Sequence, residues 1–263
     1  MRITSRDNSL LRQARAVRDG KTKDLIFVEG LRLCEEAFRS KLAIEAIIYS
    51  DHLAEKERAA DAIEQLAGVA ERAATVSEKL LESISYTKTP QGIVALAKRP
   101  ESDETVLSTL PDHPLLVVMH QINNPVNVGA IIRTAEAAGA AGAIATLNTS
   151  DPFSPKALRG AMGSGFRLPM WVGPSYASVI NWCQKRKIET VCADADSEVS
   201  FTAIDWKEAL ALIVGPESTG LSPVEIESAD NCVRIPMKGA VESLNVSVAT
   251  GILLFEAARQ RQK

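Results

Sequence analysis

The run Leu115-Leu116-Val117-Val118-Met119-His120-Gln121-Ile122-Asn123-Asn124-Pro125-Val126-Asn127-Val128-Gly129-Ala130-Ile131-Ile132-Arg133-Thr134 holds an entire α/β step in one stretch. Its first five residues are continuously apolar, the pattern of a strand covered on both faces. A polar turn with a proline follows, and then small and apolar residues at helical spacing predict a helix over 127–139. Outward from this step the pattern repeats. Strands are expected at 143–147, 190–193, 210–214 and 233–236, with helices at 176–187 and 244–261. Strands of this kind between helices imply a mostly parallel sheet with helices on both faces.

Two further stretches have the same build, an apolar run joined to a helix-like pattern through small or polar residues. They are Ile213-Val214-Gly215-Pro216-Glu217-Ser218-Thr219-Gly220-Leu221-Ser222 and Ile235-Pro236-Met237-Lys238-Gly239-Ala240-Val241-Glu242-Ser243-Leu244-Asn245-Val246-Ser247. Such strand-end loops leave backbone groups open to a ligand, which is where α/β enzymes keep their sites. A dinucleotide fold would carry Gly-x-Gly-x-x-Gly after its first strand, and none stands there. Gly160-Ala161-Met162-Gly163-Ser164-Gly165 is glycine-rich but mid-domain, and reads as a loop or helix end. Gly215 to Gly220 lacks the lysine of a phosphate loop.

In this order and at these intervals the three stretches resemble the motifs of the SpoU (TrmH-like) family of RNA 2′-O-methyltransferases in the SPOUT superfamily. Asn127, Arg133, Glu217, Ser243 and Asn245 fall on the family's polar positions, while Val126 stands where the family usually has glycine. The resemblance is strong over roughly 115–260. It implies a trefoil-knotted α/β domain that binds S-adenosylmethionine, with main chain of Gly215, Ile235 and Leu244 against the adenosine. It further implies a ribose 2′-hydroxyl of RNA as acceptor, the five polar residues as the catalytic set, and a homodimer through the C-terminal domain. A guanidinium is a poor base, so Arg133 is better cast as a charged fork for a phosphate and a developing alkoxide. Apolar residues of the last helix, among them Leu244, Val248, Ile252, Leu253 and Phe255, fit a core-facing stripe as well as a dimer face.

The rest of the chain bounds the reading. With 263 residues there is room for two modest domains, and 46% apolar residues with no bilayer-length run indicate a globular protein, with no membrane segment or secretory signal and a cytoplasmic address expected. The first hundred residues alternate helix and strand signals, with helices at 8–19 and 31–39, strands at 25–28, 44–49 and 92–97, and helical periodicity over 53–66. They resemble, more softly, the L30e-like substrate-binding domain of the family. Residues 99–114 are polar with several prolines, as in a linker, giving domains at 1–98 and 115–263.

The four cysteines form no Cys-x-x-Cys pair and do not cluster with the three histidines, so no metal site is expected. His120 is the histidine nearest the motifs. A net charge of −3 restricts RNA contact to local patches. One is the run Arg2, Arg6, Arg12, Arg15, Arg18, Lys21 and Lys23; another is Lys156, Arg159 and Arg167. The resemblance favours ribosomal RNA as substrate. Transfer RNA, or a non-catalytic RNA-binding assembly protein on the same fold, are the alternatives.

Overall fold

The computed structural model describes residues 1–239 and 243–262, so the Ala240-Val241-Glu242 part of the third motif lies outside the described residues. The chain forms two compact units. The first is Met1–Pro100 with Phe153–Arg167, and the second is Glu101–Pro152 with the chain from Leu168 on.

In the first unit, chain order runs α1 (Ser9–Arg18), β1 (Leu25–Glu29), α2 (Leu31–Arg39), β2 (Ile44–Ser50), α3 (Asp51–Ala54), α4 (Glu57–Val69), β3 (Arg72–Val76), α5 (Glu78–Ile84) and β4 (Ile93–Lys98). Asn8 caps α1 by accepting from the Leu10 N–H, and Leu10, Leu11, Ala14 and Val17 form its buried stripe. The sheet order is β1-β4-β2-β3, antiparallel except for β2 with β3. The helical periodicity over 53–66 is realised as two helices rather than one. Ser50 caps the short α3 through the Leu53 N–H, and Lys56 then takes an extended conformation that restarts the chain as α4.

The second unit starts with β5 (Leu115–Met119), α6 (Pro125–Ala137) and β6 (Gly142–Ala145). Next come α7 (Pro155–Ala161) and α8 (Ser164–Arg167), which belong to the first unit, where α7 packs on β1 and Arg167 pairs with Glu36 of α2 at 2.5 Å. The glycine-rich run here is a helix end, with Met162 in the left-handed region. The second unit resumes with β7 (Met170–Val172), α9 (Tyr176–Arg186), β8 (Glu189–Ala193), β9 (Leu210–Val214), α10 (Pro223–Glu227), β10 (Asn231–Val233) and α11 (Val246–Arg261).

Its six strands are all parallel, in the order β10-β8-β9-β5-β6-β7. β5 and β9 are buried along their whole length, as expected of central strands under helices. The stretch 99–114 is less of a free linker than its composition suggests. A 3₁₀ turn at Glu104–Leu107 seats Leu107 fully in the core, where Gly142 leaves room for it: a Cβ on Gly142 would stand 2.5 Å from Leu107 Cδ2.

Candidate active site

β5 and β9 lie side by side, with Met119 opposite Val214. From β5 the chain steps to β6 on one side, and from β9 it goes to β10 on the other. Adjacent strands whose connections diverge leave a crevice beyond their carboxyl ends, and ligands of open α/β sheets bind there. The first two motif loops leave from these two strands. The third precedes α11, which packs on α6.

Asn124, not Asn127, caps α6, accepting from the Val126 N–H at 3.0 Å. Asn127 is therefore inside the first turn, and its side chain is buried. Its Nδ2 donates to Glu217 Oε1 at 2.6 Å, and its Oδ1 accepts from Asn245 Nδ2 at 3.3 Å. Asn245 also caps α11, its Oδ1 accepting from the N–H and the hydroxyl of Ser247 at 3.0 and 2.6 Å. One line of hydrogen bonds thus crosses all three motif loops. Val126, at the position where glycine is usual, is an exposed helical residue, and the turn needs no positive φ there.

A cavity of about 550 Å³ opens beside this line. Gly215, Ile235 and Leu244 all line it, as do Glu217, Ser243 and Asn245. Gly215 is required for a reason other than ligand approach. A Cβ there would lie 2.8 Å from Leu221 Cγ and 3.0 Å from the Leu221 N, so the loop folds back on itself only over a glycine. Val233, Ile235 and Leu244 give the cavity an apolar wall suited to an adenine face, and the Ser218 and Thr219 hydroxyls and open main chain give a polar rim. The volume falls within the range of about 300–1,000 Å³ usual for small-molecule sites. The residues present therefore fit an adenosyl cofactor.

Sequence reasoning missed two lining residues, Asp194 and Asp196. The available signal was position: they follow β8, the neighbour of β9, so they too sit at a strand end. Arg133 is not joined to the other four residues of the expected catalytic set. It is exposed on α6 and forms no hydrogen bond or ion pair with any described residue, Glu217 included. Ser243 is exposed at the cavity wall. Of the basic patches, Arg2 pairs with Asp51, Arg18 with Asp19 and Arg167 with Glu36, while Arg6, Arg12, Lys21, Lys23, Lys156 and Arg159 are exposed.

Comparison with known proteins follows the same division of the chain. Residues 9–95 match the family model of the MRM3-like substrate binding domain. A 23S rRNA (guanosine-2′-O-)-methyltransferase RlmB from a Burkholderia species is 37% identical over 186 residues, covering 70% of this chain and 75% of that protein. The 23S rRNA (uridine(2479)-2′-O)-methyltransferase of Streptomyces viridochromogenes is 31% identical over 270 residues, covering 99% and 92%. Among solved structures, the AdoMet-bound rRNA methyltransferase from Sinorhizobium meliloti superposes with a TM-score of 0.86 at 29% identity, over 100% of this chain and 99% of that one. Residues 114–255, which include all three motif loops and the hydrogen bonds that link them, match the SpoU rRNA Methylase family model, and the chain belongs to that family.

Proposed function

We propose that this protein methylates the ribose 2′-hydroxyl of a nucleotide in ribosomal RNA with S-adenosylmethionine as methyl donor. The observation that carries the reading is the cavity at the β5–β9 crevice, lined by Gly215, Ile235 and Leu244 and bordered by the Asn245–Asn127–Glu217 hydrogen bonds. Membership of the SpoU family and two relatives named for 23S rRNA 2′-O-methylation favour ribosomal over transfer RNA and an enzyme over a non-catalytic binder.

Bound in the cavity, the cofactor supplies a methyl group electrophilic enough for a hydroxyl oxygen. The chain's own residues do the rest. Glu217, held by Asn127, braces the loop after β9, and Asn245 braces the turn into α11, so the cavity walls are set before the cofactor arrives. Arg133, exposed on α6 and unpaired among the described residues, would meet an incoming phosphate with its planar fork and stabilise charge forming on the ribose oxygen. Aligning hydroxyl and methyl is the larger part of the task, because a neutral ribose hydroxyl is a weak nucleophile.

The first unit is the proposed RNA-holding part, supported by its match to a substrate binding domain and by the exposed Arg6, Arg12, Lys21 and Lys23. Reversing these four charges should weaken RNA binding and flatten its salt dependence while cofactor affinity stays unchanged. Point variants are the right tool, because a cut between the units would strand Phe153–Arg167.

We further infer a homodimer. α11 turns Leu253, Leu254 and Ala257 to the core and leaves Val248, Ile252 and Phe255 on its outer face, 51, 36 and 53% exposed. An apolar stripe on a helix already packed on its other side fits an isologous contact between two copies. The trefoil knot implied by the family is part of the same proposal, supported by α11 following the edge strand β10 and returning to pack on α6. No helix among the described residues is long and apolar enough to cross a membrane, and the cytoplasm is the proposed place of action.

A direct test mixes the full-length chain, methyl-labelled S-adenosylmethionine and unmodified ribosomal RNA. Label in the RNA supports the reading; a folded protein that binds the cofactor yet labels no RNA opposes it.

A further inference from the structure

His120 directly follows β5 and is 3% exposed. Its main-chain N–H donates to the carbonyl of Val214, the last residue of β9, at 2.9 Å. Its ring Nε2 is 2.9 Å from Glu225 Oε1, and Nδ1 is 2.9 Å from Thr146 Oγ1. The other carboxylate oxygen of Glu225 accepts from both the N–H and the hydroxyl of Ser222, each at 2.8 Å. Val214 and Ser222 bracket 215–221, the loop that carries Gly215 and Glu217. Both ends of the cavity loop are thus hung from one residue.

The histidine itself has little freedom. Tyr176 packs edge-on against its ring, with centroids 4.8 Å apart, and the Tyr176 hydroxyl donates to the Glu225 carbonyl at 2.8 Å. An ionised carboxylate only accepts, so Nε2 carries a proton toward Glu225. Burial opposes the Glu225 charge, but the Ser222 donors and His120 outweigh it and hold the carboxyl below its ordinary range. Glu225 thereby serves twice, closing the capping box of α10 and gripping the histidine.

We propose that His120 is a positioning residue for the methyl donor: through Val214 and Glu225 it fixes both ends of the 215–221 loop in the conformation that walls the cavity. This rests on the cofactor reading above. Asn127 grips the same loop at Glu217, near its middle. The loop is therefore held at three points, both its ends and a residue near its middle.

The test uses full-length protein, calorimetric titration with S-adenosylmethionine, and methyl transfer to ribosomal RNA under single-turnover conditions. His120→Leu should weaken cofactor binding about tenfold, the worth of one lost hydrogen bond to a charged group, and raise the cofactor KM by the same factor. The rate with saturating cofactor and RNA should stay within about threefold of wild type, since no reacting atom is touched. His120→Gln, whose amide can still donate to Glu225, should bind within about threefold of wild type. A loss of packing alone would leave Gln no better than Leu and would overturn the proposal. Should His120→Leu not fold, His120→Asn, whose shorter side chain falls short of Glu225, breaks the same link while leaving the Glu225–Ser222 cap in place, and should show the same split. Cofactor affinity within about twofold of wild type in the folded variant would overturn the positioning role while leaving the cofactor reading intact. A folded wild-type protein that gives no binding signal would overturn both.

Discussion

The side-chain amide of Asn127 donates to Glu217 Oε1 at 2.6 Å, tying the first turn of α6 to the loop after β9 across 90 residues of chain. The bond is charge-assisted, and its donor is buried. It makes the first and second motifs one unit, to which Asn245 adds the third.

This predicts that the two obvious substitutions of Asn127 differ. Asn127→Ala removes the donor, whereas Asn127→Asp sets a carboxylate against the one on Glu217, and two acids in contact cannot both ionise cheaply. At about pH 8 the Asp variant should bind S-adenosylmethionine more weakly than the Ala variant, by up to about tenfold. The gap should close toward about pH 5, as one carboxyl takes a proton. Calorimetry at the two pH values measures this. Equal affinities at the higher pH would mean that the pair does not brace the cavity.

Arg133 calls for a different signature. Arg133→Lys keeps the charge but loses the planar fork, so the single-turnover rate should fall by about tenfold to a hundredfold with cofactor affinity unchanged. Arg133→Ala should fall further. A near-wild-type rate for Arg133→Ala with saturating RNA and cofactor would leave it as an exposed helix residue and nothing more.

The central strands and the motif loops were legible because their signals are local. Leu115 to Met119 can hardly be anything but a covered strand, and the helix expected at 127–139 is found as α6, begun two residues earlier by the Asn124 cap. The meeting of Asn127, Glu217 and Asn245 was not visible in periodicity, because it depends on β5 and β9 being neighbours. Family likeness supplied it. What neither signal offered was the placement of Phe153–Arg167 with the first unit, or the role of His120, whose partners Thr146 and Glu225 are distant in sequence. Residues 99–114 misled through composition: their prolines and charges mask Leu107, a core residue.

Leu107→Ala removes a fully buried side chain from beneath Gly142 and should destabilise the second unit by about 2–5 kcal/mol, as truncations of buried leucine do. Urea unfolding followed by Trp206 or Trp182 fluorescence, both buried in that unit, would report it. A change under about 0.5 kcal/mol, the scale of surface substitutions, would return the stretch to a simple linker.

The outer face of α11 gives the test of assembly. Phe255→Glu puts a charge into the exposed apolar stripe without touching Leu253, Leu254 or Ala257. Sedimentation should show a dimer for the wild type and a monomer for this variant, with secondary structure preserved. A wild-type monomer at high concentration would mean that the stripe serves some other contact.

A ribose hydroxyl of ribosomal RNA as acceptor is tested by the chemical identity of the methylated nucleoside. Full-length protein, S-adenosylmethionine with a labelled methyl group and ribosomal RNA lacking the modification are incubated; the RNA is then digested to nucleosides and analysed by mass spectrometry. The label should appear in a 2′-O-methylated nucleoside, resistant to alkaline cleavage at its 3′ side, and be lost with Arg133→Ala. Label on a base, or none in RNA from a protein that binds the cofactor, would contradict it.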